Sequence, residues 1–374
     1  MRRVLLGAAL SVYTAAFAEV FIRVFDPQPV MPRYITGTAW GVRGNIPGAH
    51  YWHHTPEVDV EYRINRDGLR ADREYPFEKP TDTCRLGLFG DSFFFGVEAN
   101  LEDSFAGQLE RWLRNRGFQV EVLNFAVGGF GTTEMLQTYQ EFGRKFNLDV
   151  VVFSWDFSDM NDNLRSNLYR LKDDHLVRAD SEYLPGVHIQ DRLMRYGLYR
   201  LIADHSQFYS FARERISLYL RKRMAKARKA ALDVEPIQPS AGDDQGESDA
   251  MDTAEKQAVV GLSSALVIFA RNLVTDSGSD FYLVDIPVRL SRTEFKSSVE
   301  SLPPDVRSGL NVVSAVDELS KAARPGFKLF YEQGQGHLTP TGNTILVEQM
   351  VRSLESSTRL QACASHANKP TRTR

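Results

Sequence analysis

The sequence predicts an α/β fold with a central parallel sheet, and three observations carry that expectation. Short apolar runs recur at residues 86–89 (LGLF), 120–124 (VEVLN), 150–155 (VVVFSW) and 281–286 (FYLVDI). Amphipathic helical stretches follow them at 104–116, 132–146 and 341–354. Strands alternating with helices of that length form βαβ units, and a strand that is apolar throughout is covered on both faces. In addition, turn residues stand just after the strands, as Gly90-Asp91-Ser92 and Gly128-Gly129-Phe130-Gly131. In such sheets, ligands bind beyond the carboxyl ends of the strands. A weaker strand is expected at 328–331.

Composition sets limits. The chain has 374 residues, 43% hydrophobic and 25% charged, with net charge −3. That is ordinary for a packed protein and lacks the basic excess of a nucleic-acid binder. Two cysteines, Cys84 and Cys363, exclude a disulfide framework and a cysteine-built metal site. One pair can still form in an oxidising compartment. No metal or organic cofactor is expected.

The N-terminus opens with Arg2-Arg3 and an apolar run at 4–22 that holds one charge, Glu19. About 20 apolar residues span a bilayer as a helix, and leading arginines favour a cytoplasmic start. A single-pass anchor with the rest outside the cytosol is one reading. A cleaved signal peptide is the other, with Ala16-Phe17-Ala18 as the small-x-small cleavage site.

The expected organisation is an anchor or signal at 1–25 and a connecting region at 26–83. An α/β domain follows at 84–358, with a helical insertion and acidic linker at about 165–256, then a disordered tail at 359–374. Within the connecting region, 58–64 (VDVEYRI) alternates as an exposed strand does. His50, His53 and His54 read as loop histidines, not as a metal site. The run Arg221, Lys222, Arg223, Lys226, Arg228 and Lys229 reads as a solvated helix face or a contact with an anionic lipid or polymer.

The chemistry gathers at strand ends. Ser92 follows the first strand and precedes a helix, where backbone N–H groups and the helix dipole can hold an oxyanion. A nucleophilic serine needs a base, and His337 stands in a loop before the last helix, at the same end of the sheet. Each also has a bland reading, Ser92 as an N-cap and His337 as a packing residue. Phe93, Phe94, Phe95, Phe130, Trp155 and Phe157 cluster near the strand ends, as pocket lining or as packing.

Residues from about 58 to 354 resemble the SGNH, or GDSL-like, hydrolases, and more narrowly their bacterial membrane-anchored group. The segment 88–96 (LFGDSFFFG) resembles the block holding the nucleophile. The segment 124–132 (NFAVGGFGT) is similar to the second block, whose glycine N–H serves the oxyanion hole, here Gly129. The segment 337–343 (HLTPTGN) resembles the block with the base. The upstream stretch 63–70 (RINRDGLR) is also similar to one in that group. The resemblance implies a flavodoxin-like three-layer sandwich. It also implies a serine esterase mechanism with Ser92 as nucleophile and His337 as base.

Two departures stand out. Where the family carries an Asn-Asp pair, Ser158 takes the asparagine's place in one alignment and Asn161 in another. A serine hydroxyl donates a single hydrogen bond. Where the family has an aspartate two or three residues before the histidine, this chain has Gln335 and Gly334. Gln335 accepts a hydrogen bond but carries no charge, and Glu332, five residues off, is the alternative orienting group. Losing the aspartate costs on the order of 10⁴ in rate in serine protease triads.

Three functions follow. The first is a membrane-tethered esterase acting on acyl, above all acetyl, esters of a cell-envelope glycan or a small ester. The second is an O-acyltransferase on the same site. The third is a catalytically weakened glycan-binding or assembly protein. The sequence does not give the oligomeric state.

Overall fold

A computed structural model describes residues 2–30, 33–173, 175–230, 253–324 and 326–367. Five strands form its central parallel sheet: β1 (Cys84–Phe89), β2 (Val120–Asn124), β3 (Val150–Trp155), β4 (Asp280–Asp285) and β5 (Val312–Val313). Their order is β5-β4-β3-β1-β2, every neighbour parallel. This 2-1-3-4-5 arrangement is that of flavodoxin-like folds. The fold is therefore the one that the resemblance implied.

Alternate side chains along each strand feed two cores. Leu86, Leu88, Val150, Val152 and Val284 face one side. There they meet α3 (Phe105–Asn115), through Phe105, Leu109 and Leu113, and the last long helix, Pro340–Leu354. Phe89, Leu123, Val151, Phe153 and Leu283 face the other side. There α4 (Thr132–Glu141) brings Met135, Leu136 and Tyr139, and α9 (Thr253–Asp276) brings Leu266, Ala270 and Val274. The three layers are thus helix, sheet and helix.

Several expectations change. The fifth strand lies at Val312–Val313; residues 328–331 contribute only a bridge from Phe330 to Leu338. The stretch 132–146 is broken after Glu141 and ends in a 3₁₀ turn at Gly143–Phe146. The insertion opens with a hairpin, Tyr169–Lys172 against His175–Arg178, before helices α6 (Val187–Leu193), α7 (Gly197–His205) and α8 (Gln207–Ala230). The tail holds a helix, Thr358–Ala367, where disorder was expected from 359; residues 368–374 lie outside the described residues. So does most of the acidic linker, at 231–252. The basic run falls on α8, and of its side chains only Arg223 is described.

The connecting region is ordered. Strand Asp59–Arg63 pairs antiparallel with His50–His54. The histidines lie on that hairpin and not in a loop. His53 is fully buried, its Nδ1 3.0 Å from the Tyr62 hydroxyl, while His50 meets Glu61 and His54 meets Asp59.

An apolar N-terminal helix, α1 (Arg2–Phe25), is present. It and α9 are the two helices among the described residues that are long and apolar enough to cross a membrane. They differ in burial: the apolar window of α1 is 6% buried and that of α9 44%. Helix α9 covers the sheet, so its hydrophobicity belongs to the core. Leu266→Ala removes a fully buried side chain there and is expected to cost about 2–5 kcal/mol. A melting transition within a degree of the parent's would show that α9 does not bear on the core.

Candidate active site

The site sits beyond the carboxyl ends of β1, β2 and β3. Asp91 caps α2 (Ser92–Phe95), its side chain accepting the Phe93 N–H at 2.9 Å. The cap opens a sharp strand-to-helix turn, and Ser92 is its first helical residue. Gly96 closes the helix in the left-handed region at φ 82°. Behind it, Glu98 also has positive φ, 65°, a conformation that costs a residue with a Cβ some energy.

His337 reaches this turn from the loop before Pro340–Leu354. Its Nε2 is 2.8 Å from Ser92 Oγ, and its Nδ1 is 3.2 Å from Glu98 Oε2. With Nδ1–H donating to the carboxylate, Nε2 is left as the acceptor for the serine hydroxyl. The Phe93 ring lies 5.0 Å from the imidazole, centroid to centroid. His337 is 8% exposed and Glu98 fully buried. A serine hydroxyl, an imidazole and a carboxylate are therefore in line, the arrangement that nucleophilic catalysis uses.

Glu98 was not foreseen in the sequence. It replaces both expected orienting groups, and the geometry explains why. Its Oε1 accepts the Gln335 N–H at 2.7 Å, and Oε2 accepts the His337 N–H at 3.1 Å. A Cβ on Gly334 would lie 1.6 Å from Glu98 Oε1, so that position has no room for a side chain. Gln335 contributes its backbone N–H while its side chain stays at the surface, and Glu332 is held away by Arg289 and Arg292 at 3.2 and 2.8 Å. Neither orients His337. The only hint was an acid six residues after Ser92 in a segment with no regular pattern.

Burial pushes the Glu98 carboxyl up, but the hydrogen bonds from His337 and Gln335 outweigh it and hold the group below its ordinary range. It is therefore a carboxylate at neutral pH, as the stabiliser of an imidazolium must be. The loop that carries it is fixed from the connecting region. Arg70, the last residue of the RINRDGLR stretch, donates to the carbonyls of Phe95, Gly96 and Ala99 at 2.6, 2.5 and 2.5 Å. Tyr62 accepts the Glu98 N–H at 2.9 Å.

The oxyanion candidates are placed less evenly. Gly129 lies on the β2–α4 loop at φ 77°. Arg43, paired with Glu134 at 2.8 Å, donates to the carbonyls of Gly128 and Gly129. Across a trans peptide this turns the Gly129 N–H away from Arg43. Ser158 donates its N–H to Asp156 at 2.8 Å, and its hydroxyl is 3.5 Å from Asp162. Asn161 stands in the first turn of α5 (Asp159–Ser166) and makes no side-chain hydrogen bond among the described residues. Neither Ser158 nor Asn161 bonds to Ser92 or His337. Of the six aromatic residues, Phe94, Phe95, Phe130 and Trp155 are core, Phe93 flanks His337 and Phe157 is exposed.

Beside the triad lies a group of buried carboxyls. Desolvation, with the nearby Asp156, pushes Asp91 up to about 8. Burial also raises Asp156 and Asp159. Among the described residues no cluster of histidine, cysteine or acidic side chains has metal-binding geometry.

A flavodoxin-like sheet with a serine–histidine–glutamate line at its carboxyl edge defines the class: an α/β protein that holds a hydroxyl, an imidazole and a carboxylate within hydrogen-bond reach of one another. No family model and no curated protein matches the chain. Solved structures similar to it include the lipase/acylhydrolase from Enterococcus faecalis, at 14% identity over 73% of this chain and 95% of that one, TM-score 0.38. A G-D-S-L family lipolytic protein from Veillonella parvula is 9% identical over 73% and 99%, TM-score 0.36. A two-domain esterase active on acetylated mannans is 8% identical over 77% and 51%, TM-score 0.38. At these values, the functional reading rests on the site's own geometry.

Two predictions follow from that geometry. Glu98→Gln is expected to lower kcat for ester hydrolysis by on the order of 10³–10⁴, as loss of a triad acid does elsewhere. Gln335→Asp should change it less than about threefold, because that side chain is at the surface. Steady-state kinetics on both variants decides; the opposite ranking would return the orienting role to Gln335. The second concerns pH. A buried acid whose folded pKa is raised lends stability that is complete below its unfolded pKa, near 4, and lost as pH rises toward the folded value of about 8. Asp91→Asn keeps the cap's acceptor oxygen, so melting temperature should fall less between pH 5 and 8 than in the parent. Parallel curves would remove Asp91 as a cause.

Proposed function

We propose that this chain is a membrane-tethered serine esterase that removes acyl groups, acetyl foremost, from a cell-envelope glycan or polymer. The observation that carries the reading is the 2.8 Å contact between Ser92 Oγ and His337 Nε2, with Glu98 behind the imidazole. His337 takes the serine proton as Oγ attacks the ester carbonyl, and Glu98 stabilises the imidazolium. This reading assigns the oxyanion to the Ser92 and Gly129 N–H groups, with Ser158 or Asn161 as the side-chain donor. The imidazolium then returns its proton to the departing sugar oxygen. Water, activated by the same histidine, releases the acid and restores the hydroxyl.

The binding-protein reading drew on the missing aspartate, and Glu98 at His337 removes that ground. Placement outside the cytosol is supported by the apolar, exposed Leu5–Phe25.

The test is hydrolysis of p-nitrophenyl acetate by the full chain in detergent, beside Ser92→Ala and His337→Ala. Each substitution is expected to lower kcat by at least about 10³. Undiminished turnover in both variants would sink the serine mechanism.

A further inference from the structure

We propose that the helical insertion α6–α8 is a lipid-docking surface, seated in the anionic headgroup layer beside α1; this rests on reading α1 as a membrane anchor. Helix α1 packs on α8. Glu19, the lone acid of the apolar helix, accepts from the Ser206 hydroxyl at 2.7 Å and the N–H groups of Gln207 and Phe208 at 3.1 and 2.9 Å. Arg23, one turn on, bonds Glu19 at 2.6 Å and the His205 carbonyl at 2.6 Å. The α7–α8 junction is thus tied to a fixed level of α1.

That level can be placed. Glu19 precedes Phe25, the end of the apolar stretch, by six residues, about 9 Å of helix. A carboxylate at that depth needs partners, and α8 supplies them. Interfacial helices bury their apolar face about 5–10 Å into the headgroup–acyl boundary, the same level. The insertion is built for it. On α7, Leu198, Leu201 and Ile202 share one face at the i, i+3, i+4 spacing, Leu198 71% and Leu201 58% exposed. Tyr196 and Ile189 extend the exposed apolar surface. The other side of α7 turns inward, with Ala203 buried and Tyr199 bonded to Tyr209.

Charge agrees. Arg192, Arg195, Arg200 and Arg215 are exposed around this surface. The acids among them are Asp191, paired with Arg33 at 2.6 Å, Asp204 and Glu214. Arginine stems lie along lipid while their guanidinium heads reach phosphate. Because α8 also packs on α5, which itself packs on α4 and α9, docking fixes the α/β core relative to the leaflet.

The test places an environment-sensitive fluorophore on the full chain, in vesicles of phosphatidylcholine with phosphatidylglycerol, at Leu198→Cys, Leu201→Cys, Leu10→Cys or Asp82→Cys. Lipids carrying a quencher on the upper acyl chain report depth. The expected result is at least about twofold quenching at 198 and 201, with none at 82. Quenching at 10 but not at 198 or 201 would overturn the docking surface and leave the anchor standing. No quenching at 10 would overturn both. A blue-shifted but unquenched label at 198 and 201 would assign the surface to a protein contact, and the lipid proposal would fall.

Discussion

The site depends on one buried carboxylate. Glu98 holds His337 by the ring and by the backbone, and receives the Gln335 N–H as well. A buried charge is stable only if each lone pair finds a donor. The surrounding chain supplies those donors. Gly334 has to be glycine because the carboxylate occupies the space of a side chain. Arg70 and Tyr62 hold the loop that brings Glu98 in. The connecting region is therefore part of the active site's support, although it contributes no reacting group.

This arrangement separates the acid from the histidine in the chain. When acid and base share one loop, their spacing is local. Here Glu98 travels with Ser92, and the His337 loop closes onto both. Ser92, Glu98 and the turn between them form one unit, braced by the Gly96 cap and the Arg70 guanidinium. The strand-to-helix turn thus fixes two of the three groups at once. The loop that carries Gly129 is braced separately, through Arg43 and Glu134.

The carboxyls at Asp91, Asp156 and Asp159 set the electrostatic character of the same edge. Burial raises all three. Glu98, equally enclosed, goes the other way because hydrogen bonds outweigh desolvation. Two kinds of acid thus stand side by side, one charged to serve the base and others held toward neutrality.

The sequence by itself determined the sheet, the positions of Ser92 and His337 and the apolar N-terminal helix. Each is a local signal: an apolar strand, a Gly-Asp-Ser turn, a histidine before a helix, a long run without charge. The fifth strand was missed because two residues carry no periodicity. Glu98 was missed because its function lies in a contact 239 positions away in the chain. Reading outward from the histidine led to Gln335 and Glu332, whose nearness in sequence carries no information about which way their side chains turn. Only the tertiary structure decided which acid meets the imidazole, since a loop's path over a sheet edge is set by the core and the buried arginine beneath it. For the same reason, only the structure joined Glu19 to Ser206, at the junction of α7 and α8, 187 residues on.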